Sequence, residues 1–120
     1  MSNRVEFMTY QGKQILLIDV TDCSPEQVET TFRTVPDIVT TRPPRSMLIL
    51  SDFTAASLNE HATQVVKETA VFDKPYVKRS ACVGVESLPQ DFMADLNRFA
   101  LREFRTFKTR EKALAWLVKD

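Results

Sequence analysis

Apolar and polar positions along the chain fall into short, distinct periods. Val5-Glu6-Phe7-Met8-Thr9-Tyr10 sets Val5 and Phe7 against polar neighbours, the period of a half-buried strand. Gln11-Gly12-Lys13 reads as a turn, and Gln14 to Val20 follows as an almost unbroken apolar run, as expected of a strand buried on both faces. So short a turn predicts an antiparallel hairpin. Ser24-Pro25-Glu26-Gln27 then opens a helix: Ser24 caps it, Pro25 suits its first position and Gln27 completes a capping box. Val28, Phe32 and Val35 recur at helical spacing until Pro36 breaks the pattern, with Ile38 and Val39 continuing it as a second short piece.

The same alternation repeats along the rest of the chain. After the loop Arg42-Pro43-Pro44-Arg45, Ser46 to Leu50 predicts another doubly buried strand. Ser57-Leu58-Asn59-Glu60 reads as a second capping box. Leu58, Ala62, Val65, Val66, Thr69 and Ala70 then line one helix face, which ends near Phe72-Asp73, before Pro75. Lys78 to Val85 predicts a fourth strand. Ser87-Leu88-Pro89-Gln90 is read as the start of a helix carrying Phe92, Leu96 and Phe99. Phe104 to Phe107 is a short last strand, and Thr109 caps a final helix with Glu111 in its first turn and Leu114, Trp116 and Leu117 turned to a core. The order is ββαβαβαβα. It predicts one α/β domain over residues 1–120, with a mixed, mainly parallel five-stranded sheet, four helices and right-handed crossovers.

Composition narrows the function classes more than it names one. A chain of 120 residues with 43% hydrophobic and 27% charged residues is long enough for a core without metal or disulfide staples. Sixteen basic and sixteen acidic residues cancel, so the overall charge gives no pull toward nucleic acid or an anionic membrane. Two cysteines, Cys23 and Cys82, form no CxxC pair, and the single histidine, His61, has no cysteine beside it, which disfavours zinc. No apolar leader and no segment of membrane-spanning length is apparent, and free thiols point to a cytoplasmic protein. Two glycines cannot build a GxGxxG or GxxxxGK loop, which excludes nucleotide binding by those devices. No cofactor is implied.

The runs Gln14–Val20, Ser46–Asp52 and Val77–Val85, with the ending Phe107-Lys108-Thr109-Arg110-Glu111-Lys112-Ala113-Leu114-Ala115-Trp116-Leu117, resemble the SpoIIAA-like fold shared by STAS domains and CRAL-TRIO lipid-binding domains. The likeness is nearest to short bacterial STAS-like proteins and spans almost the whole chain. It implies a non-enzymatic regulatory or protein-interaction module of the anti-sigma-factor-antagonist type. The alternative it implies is a carrier or sensor of a small apolar, lipid-like ligand. STAS antagonists are phosphorylated on a serine within an Asp-Ser-Ser-Gly-like motif. The matching segment here is Ser51-Asp52-Phe53-Thr54-Ala55-Ala56-Ser57, which lacks that motif and leaves Thr54 or Ser57 as substitutes.

Candidate chemistry gathers at the carboxyl ends of the expected parallel strands, where open sheets bind ligands. Asp19, Thr21 and Asp22 lie at one end, Ser51, Asp52 and Thr54 at the next, and Glu86 with Ser87 at the third. The binding or phosphoacceptor candidates are Asp22, Ser51, Asp52, Thr54, Ser57, Glu86 and Ser87, beside a helix start whose N–H groups suit an anion. Against this, Ser24, Ser57 and Ser87 also serve as helix caps and Asp52 as a turn former. Asp52 as a metal-dependent phosphoacceptor would need a lysine after Val85, where Glu86-Ser87 stands. His61 could act as a general base with Glu60 or Asp52, but no nucleophile elbow accompanies it, and a solvated surface histidine is the simpler reading.

Lys74, Lys78 and Arg79 surround Pro75-Tyr76, and Arg98, Arg102 and Arg105 form a second basic group. They suit an acidic protein partner, or internal pairing with Glu68, Asp73 and Asp95, and Lys74-Pro75-Tyr76 could be a loop over a pocket. Trp116, Phe99, Phe92 and Phe32 are read as core. A ligand gap could open where Val65, Val66, Ala70, Phe72, Phe92 and Met93 face one another. An uncovered edge on the leading hairpin would favour a homodimer.

Overall fold

The computed structural model describes residues 4–119. A single five-stranded sheet runs through it in the spatial order β1-β2-β3-β4-β5, the order of the strands along the chain. Strands β1 (Val5–Tyr10) and β2 (Lys13–Asp19) form the antiparallel hairpin, with Phe7 opposite Leu16. From β2 onward every neighbour is parallel: β3 (Met47–Asp52), β4 (Val77–Val83) and β5 (Arg105–Phe107). This is the expected mixed, mainly parallel arrangement, with the strand bounds shifted by one or two residues.

Helices α1 (Pro25–Arg33), α2 (Val35–Val39), α3 (Glu60–Asp73) and α4 (Phe92–Ala100) all lie on one face. Their Val28, Phe32, Val35, Val66 and Leu96 meet Leu16, Ile18, Met47, Ile49 and Cys82 of the sheet. Helix α5 (Arg110–Leu117) covers the other face alone, setting Ala113, Leu114 and Leu117 on Ile15, Leu48, Leu50, Ala81 and Val83. With both faces covered, β3 is buried at all six positions, which explains its continuous apolar reading.

The local signals operate largely as expected. Ser24 and Gln27 form the reciprocal capping box, Pro36 separates α1 from the short α2, and the Thr109 hydroxyl accepts from the Lys112 N–H. Two helix starts differ. The cap of α3 is Asn59, whose side chain accepts from the Ala62 N–H at 2.7 Å, rather than Ser57. The Ser57 N–H is held by the Cys23 carbonyl, so the chain is not yet helical there and the helix begins later. Ser87 likewise does not open α4. It ends a 3-10 turn at Val85–Ser87, and its hydroxyl donates to the carbonyls of Phe53 and Gly84.

Phe99 is also displaced from its expected place. Buried residues on α4 follow the line Phe92, Leu96, Ala100, and Phe99 falls at the margin of that face, 47% exposed. Trp116 is half-buried and packs on Phe107 with ring centroids 5.6 Å apart. Phe32, Phe53 and Phe92 form the aromatic centre of the larger core. No helix among the described residues is long and apolar enough to cross a membrane.

Candidate functional site

Parallel register brings Asp19 and Asp52 side by side at the carboxyl ends of β2 and β3. Beyond them the chain makes the same turn twice. In Asp19-Val20-Thr21-Asp22, Asp19 Oδ1 accepts from both the N–H and the hydroxyl of Thr21. In Asp52-Phe53-Thr54-Ala55, Asp52 Oδ1 accepts from the same two groups of Thr54. The residue after each threonine takes a left-handed conformation, Asp22 at φ 57° and Ala55 at φ 56°. The apolar residue between aspartate and threonine, Val20 or Phe53, is fully buried. The two turns are laced together, because the Asp22 N–H donates to the Thr54 carbonyl at 3.0 Å.

A third loop completes the rim. Gly84, at φ 71°, follows β4 and lies directly on Thr54, where a Cβ would come within 2.5 Å of three Thr54 atoms. Only glycine permits both that contact and that backbone angle.

Arg110, the first residue of α5, closes this end from the other face of the sheet. Its Nε donates to Asp52 Oδ2 at 2.6 Å, and its guanidinium lies 3.3 Å from Asp19 Oδ2. Burial alone would raise the Asp19 carboxyl, but the hydrogen bonds from Thr21 and the charge of Arg110 outweigh it and hold it below its usual value. Burial likewise opposes the charge on Arg110, and the two carboxylates more than offset it. The connections leaving β2, β3 and β4 all run on one side of the sheet, so no crevice parts those strands. The change of side falls between β4 and β5, and Arg110 reaches back across it.

The structure therefore joins Asp22, Asp52, Thr54 and Ser87 at one rim and presents Glu86 and Ser57 on exposed loops beside it. Asp52 is buried in the ion pair, and Ser87 is a stitch between loops. Ser51 is not a rim residue. Its alternating position turns it to the interior face beside Cys82, and it is buried. The Ser57 hydroxyl makes no hydrogen bond among the described residues, whereas that of Thr54 is committed to Asp52.

His61 pairs with Glu29 across α1 and α3 at 3.1 Å and is largely exposed. Neither Glu60 nor Asp52 joins it in an acid–base pair. Both thiols are buried, and burial pushes Cys82 up to about 12. Arg110 was not singled out by sequence reasoning, although the repeated Asp-x-Thr is a visible signal for the paired turns it locks.

The interior contains a void of about 30 Å³, touched by Phe32, Ser51, Phe53, Asp73, Cys82 and Arg102. That is room for a water molecule, an order of magnitude below the ~300 Å³ of a small-ligand pocket. The expected gap between α3 and α4 is thus largely filled, and Phe72 points outward to stack on Tyr76. On the leading hairpin, Val5, Phe7, Met8 and Tyr10 are half-buried, with Arg42 lying over the Phe7 ring.

A second concavity opens at the opposite end of the sheet. This groove of about 670 Å³ gathers Arg45, Lys74, Lys78, Arg79 and Arg102 around a single carboxylate, Glu103. Arg79 donates to the carbonyls of Trp116 and Lys119, and Arg102 to the Ala70 carbonyl and the Ser80 hydroxyl. Both thereby satisfy helix-end carbonyls. Arg98 pairs with Asp95, and Arg105 lies over Trp116.

No family model and no curated protein matches this chain. Among solved structures, it is similar to an uncharacterised protein of the DUF3478 family with a SpoIIAA-like fold from Shewanella loihica PV-4. The TM-score is 0.72 and the identity 22%, over 94% of this chain and 91% of that one. The fold is thus SpoIIAA-like, as the resemblance in the sequence implied.

Proposed function

We propose that this chain is a non-enzymatic regulatory module that binds a protein partner through the rim at the carboxyl ends of β2, β3 and β4. One observation carries the reading: the Asp19–Arg110–Asp52 cluster. It engages both strand-end carboxylates in holding the loops, through Arg110 and the two threonines. What the rim offers outward is a rigid set of exposed side chains, Asp22, Ser57 and Glu86. Preorganised loops of this kind lose little freedom on binding.

Ser57 is the better phosphoacceptor of the two substitutes. Its hydroxyl is exposed and uncommitted, and it stands just ahead of α3, where added negative charge meets the positive end of the helix dipole. Mass spectrometry of the chain isolated from its native cell tests the switching version. Phosphate on Ser57 that Ser57→Ala abolishes supports it, and unmodified Thr54 and Ser57 reject it. Photo-cross-linking in that cell from positions 22 and 86, with position 45 as the comparison, tests the interaction itself. A discrete protein adduct from 22 and 86 is expected. Adducts from 45 alone, or none, overturn the reading.

A further inference from the structure

The chain is neutral overall, yet its charges are segregated. The groove at the amino ends of β3 and β4 holds five cations against Glu103 alone. Helix termini account for two of them, since Arg79 and Arg102 satisfy carbonyls there. Arg45, Lys74 and Lys78 make no hydrogen bond or ion pair through their side chains among the described residues. Three cations against the one carboxylate leave the concavity net positive, which favours an anionic occupant.

Apolar exposure is concentrated at the same end. The large hydrophobic residues most exposed to solvent are Val71, Phe72, Phe99 and Leu101. All four lie in the last turn of α3 or α4, or at the α4 terminus, and Leu101 lines the groove itself. Scattered apolar residues need no explanation, but four at one end of a small molecule do. Leu101 is the sharpest case. It ends α4 in the left-handed region at φ 52° and is 77% exposed, so it buries little there. Asparagine or glycine would relieve that conformation, and leucine is disfavoured. Local stability does not select this residue, whereas a surface that must enter an apolar phase does. Lys67 lies over the Phe99 ring at 5.6 Å, mixing cation and apolar surface on the adjacent seam.

From these two observations we propose that this end of the molecule docks on an anionic lipid surface. A phosphate headgroup would lie in the groove between Lys74, Lys78 and Arg45, while Leu101, Val71 and Phe99 reach the headgroup–acyl boundary. The surface is at the opposite end of the sheet from the rim, and a rim-bound partner would be carried to the lipid rather than displaced by it.

The single tryptophan, Trp116, lines the groove and reports on it directly. The test is co-sedimentation of the full chain with phosphatidylcholine vesicles, plain or doped with phosphatidylglycerol, alongside quenching of Trp116 by brominated lipid. Binding to the anionic vesicles only, weakened by salt, is expected. Lys74→Glu with Lys78→Glu should reduce affinity by at least about tenfold. Leu101→Asn, which relaxes the backbone and so keeps the fold, should also lose binding. The proposal is overturned by no sedimentation, by equal binding to neutral vesicles, or by variants that bind like the parent. It is also overturned if glycerol phosphate saturates a Trp116 change while vesicles do nothing, which would assign the groove to a soluble ligand.

Discussion

Replacing Asp73 by asparagine should stabilise the protein at neutral and alkaline pH. Asp73 ends α3, is 3% exposed, and its Oδ1 has no hydrogen-bond partner. Burial raises its carboxyl to about 7, and the charge of Arg102 offsets this only in part. Between its ordinary value of 3.8 and about 7, the folded chain therefore holds a proton that the unfolded chain has released. Raising the pH through that window costs stability, and the loss is complete above it. That displacement bounds the loss at about 4 kcal/mol, and relaxation around the charged carboxylate brings the expected loss to about 2 kcal/mol. Thermal unfolding from about pH 4.5 to about pH 8.5 should show the parent melting at progressively lower temperature until neutrality, then levelling. Asp73→Asn should stay flat and melt roughly 5–15 °C higher at the alkaline end. Asp19 and Glu29 do not confuse the comparison, because both are held below their ordinary values and lose their contribution only at more acid pH. A flat parent profile, or the same slope in the variant, would refute the reasoning.

Two further substitutions probe the rim. Gly84→Ala places a Cβ against the Thr54 backbone at a left-handed φ, and should cost about 2–4 kcal/mol in urea titrations; a cost under about 1 kcal/mol would mean the loops part easily. Arg110→Met leaves Asp52 buried without its cation. A loss of about 2–3 kcal/mol is expected, below the figure for a fully buried pair because Arg110 is 40% exposed by side chain. Amide exchange should accelerate at Thr21 and Thr54 while the centres of β3 and β4 stay protected, and uniform acceleration would contradict the local role.

What the sequence disclosed followed the range of the interactions involved. The runs Gln14–Val20 and Ser46–Asp52 are readable because burial on both faces leaves a continuous apolar string. Ser24, Gln27 and Thr109 are readable because a cap and its partners lie three residues apart. The α3 cap was ambiguous because Ser57 and Asn59 both offer an acceptor, and only the bond from Ser57 to Cys23 decides between them. Arg110 meets partners 58 and 91 positions earlier, Asp52 and Asp19, so no local pattern announces it. The basic groove was half visible. Two cation clusters were evident, but only the register of β4 beside the ends of α3 and α4 merges Lys74, Lys78 and Arg79 with Arg102.

The uneven covering of the sheet has a consequence for biosynthesis. Helix α5 leaves the ribosome after every strand it shields. Each strand lies beside its predecessor in the chain, and four helices seal one side of the sheet. On the other, Ile15, Leu48, Leu50, Ala81 and Val83 depend on α5 for their cover. A chain in which α5 has yet to dock exposes that aliphatic side, a surface a chaperone could hold.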